Sequence, residues 1–372
     1  MLKIAEKIKE FTKMGPFWNV SVHTDVVFSD DGVGTLLSML KEREKNAFFV
    51  LDAALKPQPR FSALFEQNDI FEFDASFSEP RTQDVDALRS ELLKRRKIPD
   101  TIVGVGGGAA MDLAKATAIC LANPKPAQCY QGFDLDMNKG ADIWTMPALT
   151  GTGAEITPIA VLRGPEKKLG INNHHVQPEV AVIDPQLSAD APHFNRFFTM
   201  MDCFFHHCEI TASKTSCAEA KADSKEGLEI ARSVLSQDLT HYSTPVAVRS
   251  SAASLLGGSS SIAGRVGAAH AISYGLSNSA PHLPHSVAVA ISICALEDIY
   301  PEGRAETLRF LDANGFSVPK ASEYGITAGD IERMTSTALG MDKLWLSCFG
   351  EEWRSKATKN YIENIYRRIV RE

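Results

Sequence analysis

Short apolar runs alternate with amphipathic segments through the first half of the chain. Runs with the length of β-strands occupy residues 46–52, 69–74, 101–107, 143–149 and 180–185. Between them, residues 85–97 and 109–122 repeat their apolar positions with helical spacing. This alternation is typical of a parallel α/β sheet. The runs TIVGVGG and VAVIDP are apolar throughout, which predicts strands that are buried on both faces.

The pattern changes after Asp184 and Pro185. Strand-like runs end there, and helical segments follow at residues 197–213, 217–237, 245–264, 285–300 and 351–372. A chain of 372 residues is also longer than one typical hydrophobic core requires. We therefore predict an α/β domain at residues 1–186 and an all-helical domain at residues 187–372.

Composition and charge narrow the class of partner. Hydrophobic residues make up 44% and charged residues 23% of the chain, as in an ordinary globular protein. The net charge of −7 argues against a nucleic acid or an anionic membrane surface, because either partner requires concentrated lysine and arginine. Small molecules are therefore the expected partners.

Three features of the sequence bear on location. The seven cysteines are odd in number and form no C-x-x-C motif, which favours reduced thiols in the cytoplasm. Residues 1–15 have the pattern of an amphipathic helix with alternating charges and lack the apolar stretch of a secretory signal. No run of apolar residues reaches the length of a membrane span. We expect a cytoplasmic protein without a membrane partner.

A glycine-rich turn follows the apolar run that begins at residue 101. Gly106, Gly107 and Gly108 stand between this run and a helical segment. Glycines allow the backbone to approach an anion closely, and a helix N-terminus presents free N–H groups to it. The turn therefore suits a pyrophosphate, although its spacing differs from G-x-G-x-x-G and a plain tight turn is the alternative.

Other polar residues near strand ends suit the same ligand. Asp52 ends the run FFVLD, where a carboxylate can accept from a ribose 2′-hydroxyl and repel a 2′-phosphate. This favours NAD(H) over NADP(H), and a solvated strand-end aspartate is the alternative. Thr152 lies in a second small-residue segment after residue 149, and Lys168 offers a charge for cofactor oxygens or faces solvent.

Candidate metal ligands lie in the second half of the chain. Asp202 and His206 are four residues apart in an apolar helical segment, so they share one face of the helix. His270 and His285 follow, and together the four side chains form a nitrogen and oxygen donor set that suits Fe(II) or Zn(II). The alternative is chance, because a chain with ten histidines often contains D-x-x-x-H.

Several ordered motifs give the chain a family resemblance. The segments GGGAAMDLAKA, MPALTGTGAEIT, KKLGI, VIDPQL and MDCFFHHCE occur in the order and spacing of the iron-containing (group III) alcohol dehydrogenases. That family is similar to dehydroquinate synthase and glycerol dehydrogenase. The resemblance implies an N-terminal α/β dinucleotide-binding domain, an all-helical C-terminal domain for metal and substrate, and an active site in the cleft between them.

The resemblance also implies roles for individual residues. It places the metal ligands at Asp202, His206, His270 and His285. It places cofactor contacts at Asp52, Gly106, Gly107, Gly108, Asp112, Lys115, Thr152 and Lys168. The cofactors it implies are Fe(II), with Zn(II) as the alternative, and NAD(H), with NADP(H) less favoured. The expected reaction interconverts a primary alcohol or sugar alcohol and an aldehyde, and a homodimer is the expected assembly.

Further segments resemble one branch of the family. CYQGFDL, HAISYGLS and LWLSCFGEEW are similar to the branch of the 3-deoxy-D-manno-octulosonate 8-oxidases. These oxidise a primary sugar alcohol in the formation of an 8-amino sugar for lipopolysaccharide. The term oxidase implies oxygen as the electron acceptor, whereas the glycine-rich turn implies NAD.

The chain departs from the family pattern near the expected proton path. Tyr274 stands where family members often have a second histidine, and the interval before His285 is about one residue longer than usual, so His282 is a rival fourth ligand. The candidate proton relays are Tyr274, His207 and His282, with Tyr274 first. Two other functions stay open: a dehydroquinate synthase-like carbon-oxygen lyase or cyclase, and a non-catalytic metal- and nucleotide-binding homologue.

Overall fold

The chain divides into two compact units, Met1–Ala191 and Pro192–Glu372. The predicted domain boundary falls after residue 186. The computed structural model describes residues 24–67, 69–75 and 79–371. The helix predicted for residues 1–15 lies outside the described residues.

The first unit is built on a parallel sheet. Its strands are β1 (Asp25–Phe28), β2 (Ala47–Asp52), β3 (Ile70–Phe73), β4 (Thr101–Gly106), β6 (Asp142–Pro147) and β9 (Val180–Ile183). Within the described part of the chain they form a six-stranded sheet in the order β1-β9-β6-β4-β2-β3. Every neighbouring pair is parallel. A smaller sheet contains β5 (Gly132–Phe133), β7 (Ile159–Arg163) and β8 (Lys168–Asn172) in the order β5-β8-β7.

Helices cover both faces of the larger sheet. They are α1 (Gly32–Glu42), α2 (Ser62–Phe65), α3 (Thr82–Leu92) and α4 (Gly108–Cys120). In β2, Phe48 and Val50 belong to one hydrophobic core, and Phe49 and Leu51 belong to another. Because successive side chains of a strand point to opposite faces, these two cores lie on the two sides of the sheet. All residues of β4 and β9 are buried, as predicted from their apolar runs.

The second unit contains helices and no strand among its described residues. Its helices are α5 (His193–Ala212), α6 (Ala218–Leu235), α7 (Thr244–Ala263), α8 (Ala268–Ser279), α9 (His285–Cys294), α10 (Pro301–Ala313), α11 (Ile331–Leu339), α12 (Asp342–Phe349), α13 (Trp353–Lys356) and α14 (Lys359–Arg371). Short 3-10 turns occur in both units: at 53–55, 59–61, 127–130, 174–176 and 185–188 in the first, and at 321–324, 328–330 and 350–352 in the second. The predicted fold class, an α/β unit followed by an all-helical unit, is confirmed.

Some elements differ from the sequence prediction. The segment 351–372 was predicted as one helix, but Thr358 interrupts it because its side chain accepts the backbone N–H of Tyr361 and caps a new helix. Strands β7 and β8 were not predicted. In β8 the buried polar residues Lys168 and Asn172 conceal the apolar pattern.

None of the helices in the part of the chain that the structure describes combines the length and the apolar character that a membrane crossing requires.

Candidate metal centre and nucleotide loop

Three predicted metal ligands converge inside the second unit. Asp202 and His206 lie on α5, and His270 lies on α8. One ligand atom from each side chain lies within 4.8 Å of the others. The Asp202 Oδ1 to His270 Nε2 distance is 3.6 Å, and the Asp202 Oδ2 to His206 Nε2 distance is 4.0 Å. The sequence separation of four residues on α5 therefore produces the shared face that the pattern predicted.

The chemistry of this cluster fits a divalent cation. Oδ1 of Asp202 and Nε2 of His270, which face each other in the cluster, are buried and have no hydrogen-bond partner among the described residues. Buried polar atoms without partners cost free energy, so they are normally satisfied. A bound cation would satisfy them, and a carboxylate with imidazoles is a donor set of Fe(II) and Zn(II) sites.

His285 and Tyr274 lie beside the cluster. His285 begins α9 and is partly buried, and its ring centre is 5.5 Å from that of His270. The ring centres of Tyr274 and His285 are 6.3 Å apart. His282 is exposed on the turn that precedes α9. The roles of His285 as fourth ligand and of Tyr274 as proton relay stay predictions.

His207 does not join the cluster, which corrects its prediction as a proton relay. Adjacent residues of a helix point about 100° apart, so His207 faces away from the side that carries His206. Its ring is fully buried between α5, α6 and α7, with Nε2 3.1 Å from the carbonyl oxygen of Ala253. A Cβ atom added at Gly227 of α6 would lie only 2.1 Å from the His207 ring. Burial lowers the pKa of His207 to about 3, and the residue acts in helix packing.

Burial and nearby charges shift the pKa values of the candidate ligands in opposite directions. Burial raises the pKa of Asp202, but the nearby charges of His206 and His285 and the contact with His270 outweigh it and leave the pKa below its usual value. Burial lowers the pKa of His206, and Asp202 opposes this change only in part. For His270, burial lowers the pKa, but Glu209 and Asp202 prevail and raise it to about 9.

Glu209 is a buried residue of this centre that the sequence reasoning missed. It lies on α5, and its carboxylate contacts Nδ1 of His270. The same carboxylate accepts the backbone N–H of Ala269 at 2.7 Å and the hydroxyl of Tyr300 at 3.2 Å. The signal was present in the sequence, because residues three apart on a helix share a face and Glu209 follows His206 by three.

The glycine-rich turn lies at the carboxyl ends of β2 and β4. Gly106 has φ +146°, and a Cβ atom there would lie 2.6 Å from Cβ of Asp52. Only glycine adopts this conformation readily and permits this contact. Gly107 precedes α4, and a Cβ atom on Gly108 would lie 3.2 Å from Oγ1 of Thr152. The structure thus brings these predicted cofactor residues together within the first unit.

The Asp52 carboxylate already has a local role. Its Oδ1 accepts the backbone N–H of Ala54 at 3.0 Å and caps the turn after β2. Burial raises the pKa of Asp52. Its contact with a ribose hydroxyl stays a prediction.

The other predicted cofactor contacts are buried and bonded within the unit. Lys115 Nζ donates to the carbonyl of Ile159 at 2.9 Å and lies 3.4 Å from Asp112 Oδ1. Oδ2 of Asp112 accepts the N–H of Val161 at 3.0 Å. Lys168 is also buried and forms an ion pair with Glu79. The bonds of Lys115 and Asp112 connect α4 to β7, and the Lys168 ion pair connects β8 to Glu79. These bonds give the side chains a structural function, while their contact with a cofactor stays a prediction.

Known proteins are similar to this chain in sequence and in fold. Residues 23–185 match the family model of iron-containing alcohol dehydrogenase. The chain is 28% identical over 215 residues to aldehyde-alcohol dehydrogenase 2 of Entamoeba histolytica, a match that covers 52% of this chain and 23% of that protein. It is 25% identical to the NAD-dependent methanol dehydrogenase of Bacillus methanolicus over 62% of each chain. Both matches span less than two thirds of the relative's length.

A solved structure is similar to this chain in fold. The sulfoacetaldehyde reductase from Bifidobacterium kashiwanohense, in complex with NAD+, superposes with a TM-score of 0.79 at 18% sequence identity. The alignment covers 96% of this chain and 99% of that chain. Residues 23–185 are therefore similar in sequence to iron-containing alcohol dehydrogenases, and the likeness to the solved structure shows a common fold.

Proposed function

We propose that this protein is a metal-dependent oxidoreductase that interconverts a primary alcohol and its aldehyde with NAD(H). The observation that carries the proposal is the cluster of Asp202, His206 and His270, in which buried ligand atoms lack hydrogen-bond partners within the described residues. The relatives support the same activity, because they are named as alcohol dehydrogenases and reductases. One structural neighbour is in complex with NAD+.

Asp202, His206 and His270 would hold the cation, with His285 as a fourth ligand. We propose Fe(II) as this cation, with Zn(II) as the alternative, because both accept nitrogen and oxygen donors. Such a cation, when bound, lowers the pKa of a coordinated hydroxyl group and stabilises the alkoxide. Tyr274 has an ionisable hydroxyl beside His285, which suits it to move the released proton.

The glycine-rich turn would bind the other cofactor. Gly106, Gly107 and Gly108 permit close approach of a pyrophosphate, and the N-terminus of α4 supplies N–H groups and the positive end of its dipole. Asp52 lies beside this turn and would bind the ribose of NAD(H) and repel the 2′-phosphate of NADP(H). The nicotinamide, when bound, accepts the hydride in the alcohol-to-aldehyde direction.

A narrower substrate follows from the branch resemblance. We propose that the alcohol is the C8 hydroxyl of 3-deoxy-D-manno-octulosonate, on the basis of the segments CYQGFDL, HAISYGLS and LWLSCFGEEW. Purified protein loaded with Fe(II) under argon would be incubated with this sugar acid, 1-propanol and methanol, each with and without NAD. Turnover at least tenfold faster with the sugar acid supports the narrower substrate. Preference for a simple alcohol contradicts it and leaves the dehydrogenase activity intact.

The same incubation, carried out once under argon and once in air, identifies the electron acceptor. Growth of the reduced-nicotinamide absorbance that requires NAD supports a dehydrogenase. Peroxide formed in air without added nucleotide supports an oxidase. If neither reduced nicotinamide nor peroxide forms with any of the alcohols, the proposed activity is contradicted and a non-catalytic homologue is favoured. A dehydroquinate synthase-like reaction is not favoured, because the relatives are named as dehydrogenases and reductases.

Two histidine variants test the metal assignment. We expect His270→Ala to lose both stoichiometric metal and turnover, because His270 lies in the ligand cluster. His241→Ala is the matched control, because His241 is exposed and lies outside the ligand cluster, so this variant is expected to leave both unchanged. Full metal content with normal turnover in His270→Ala would contradict the proposed site. Loss of metal in His282→Ala but not in His285→Ala would make His282 the fourth ligand.

We further propose that the protein forms a homodimer. Sedimentation velocity at several protein concentrations tests this assembly. A single species with the mass of one chain, 40.6 kDa, at every concentration would contradict it.

A further inference from the structure

We propose that Glu209 is a positioning residue that holds the His270 imidazole in the tautomer and orientation needed to bind a cation through Nε2. This inference rests on the proposed function, because it assumes that His270 is a metal ligand. Glu209 itself remains outside the ligand cluster.

The Glu209 carboxylate is held by three donors inside the second unit. One oxygen contacts Nδ1 of His270. The other accepts the backbone N–H of Ala269 at 2.7 Å and the hydroxyl of Tyr300 at 3.2 Å. Only 1% of the Glu209 surface is exposed. Its position is therefore determined by these contacts with the protein.

The hydroxyl of Tyr300 has a defined direction. Its oxygen accepts the backbone N–H of Ala268 at 3.2 Å. Its hydrogen has two acceptors, the Glu209 carboxylate at 3.2 Å and the Cys348 sulfur at 3.8 Å, and the carboxylate is the stronger because it is charged. Ala268 and Ala269 are the first two residues of α8, and their N–H groups have no partner within that helix. Glu209 and Tyr300 therefore bind the start of the helix that carries His270.

This arrangement selects one tautomer of His270. An ionised carboxylate can only accept hydrogen bonds, so the ring nitrogen that contacts Glu209 must carry the hydrogen. In the neutral ring, which is the form that binds a cation, the lone pair is then on Nε2; this atom is buried, lacks a hydrogen-bond partner in the described chain and lies 3.6 Å from Oδ1 of Asp202. A carboxylate on the far nitrogen of a ligating histidine orients the ring and increases its basicity. The geometry gives Glu209 this role.

Glu209→Gln separates positioning from helix capping. The glutamine amide oxygen can still accept from Ala269 and Tyr300, which preserves the cap of α8. Its NH₂ group then faces His270 and can only donate, so Nδ1 must become the acceptor and the hydrogen moves to Nε2. That tautomer has no lone pair directed at the cation. The variant therefore changes the ligand while it keeps the shape of the side chain.

The experiment measures metal binding rather than turnover. The full-length apoprotein is titrated with Co(II), and its visible absorption bands are recorded; Zn(II) affinity is measured by competition with a chromophoric chelator. For Glu209→Gln we expect about 10–100-fold weaker binding and altered Co(II) bands. Tyr366→Phe is the matched control, because Tyr366 donates to the carbonyl of Ile272 on the same helix at 2.8 Å without contacting Glu209. It is expected to lower the Tm and leave the affinity and the bands unchanged.

The outcomes separate this inference from the proposed function. Wild-type affinity and bands in Glu209→Gln would overturn the positioning role while the metal centre stands. Failure of the wild-type protein to bind Co(II), Zn(II) or Fe(II) would overturn the metal centre and the positioning role together. If Glu209→Gln does not fold, Tyr300→Phe decides, because it removes one donor to the carboxylate. A several-fold loss of affinity in Tyr300→Phe supports the role, and wild-type affinity overturns it.

Discussion

Replacement of Lys115 by methionine tests whether this buried cation maintains the fold or contacts a cofactor. Lys115 is 0% exposed and Asp112 is 9% exposed, so both charges of the pair lie inside the first unit. Lys115→Met keeps a long apolar side chain and removes the charge. The carboxylate of Asp112 then remains buried without its cation.

The magnitude follows from the distance between the charges. At 3.4 Å, the Nζ to Oδ1 attraction is about 5 kcal/mol for an effective dielectric constant of about 20. Burial opposes this attraction, since it raises the pKa of Asp112 and lowers that of Lys115. Removal of one partner of a buried pair typically costs about 3–5 kcal/mol. We therefore expect Lys115→Met to lower the free energy of unfolding by that amount.

Urea unfolding of the single and double variants measures this coupling. Asp112→Asn combined with Lys115→Met removes both charges, and the asparagine oxygen can still accept the N–H of Val161. The double variant is therefore expected to recover most of the stability that Lys115→Met loses. NAD affinity, measured by calorimetry on the same samples, reports any direct contact with the cofactor.

The pH dependence has a defined sign. Without Lys115, the pKa of Asp112 rises further in the folded state, above its unfolded value of about 3.9. Such a group favours the folded state below the unfolded pKa, and this contribution is lost as pH rises through the folded pKa. The deficit of Lys115→Met should therefore be small near pH 4 and large at pH 7. Wild-type stability at pH 7 together with weak NAD binding would refute the structural role and favour a cofactor contact.

Three further predictions concern other parts of the molecule. Asp52→Ser is expected to reduce the preference for NAD over NADP by about tenfold, because it removes the charge that repels a 2′-phosphate. The preference is measured as the ratio of the two kcat/KM values, and an unchanged ratio contradicts this role. Gly227→Ala is expected to lower the free energy of unfolding by about 1–3 kcal/mol, because its Cβ would overlap the His207 ring. Wild-type stability would contradict this and show that the helices can separate without cost. Iodoacetamide is expected to label exposed Cys129 in the native protein and to spare Cys120, because burial raises the pKa of the Cys120 thiol to about 12. Labelling of Cys120 before Cys129, detected by mass spectrometry, would contradict this.

The fold could be predicted because its signals are local. The apolar runs of β4 and β9 indicated strands buried on both faces, and their positions are buried in the structure. The strand β8 was missed because Lys168 and Asn172 are polar residues whose burial depends on partners distant in the sequence. Hydrophobic periodicity carries no information about such partners.

For the candidate site too, local signals could be read from the sequence and contacts between distant segments could not. Helical spacing from Asp202 places His206 on the shared face, whereas His207, which was predicted as a proton relay, faces another side because one residue of rotation moves a side chain by about 100°. The sequence did not reveal that Glu209 contacts His270, since the two lie on helices that meet only in the folded chain. It also did not reveal that Lys115 is buried, because the apolar positions of its helix do not indicate a buried charge.

The positions of the candidate ligands have a consequence for folding. His206 and His270 are more than sixty residues apart in the sequence, yet they belong to the same unit. A cation held by both would act as a removable cross-link that closes this long loop. For a loop of this length, the loss of unfolded-chain entropy corresponds to a stabilisation on the order of 4 kcal/mol. Protease resistance of the second half of the chain would then report metal loading before any substrate is known.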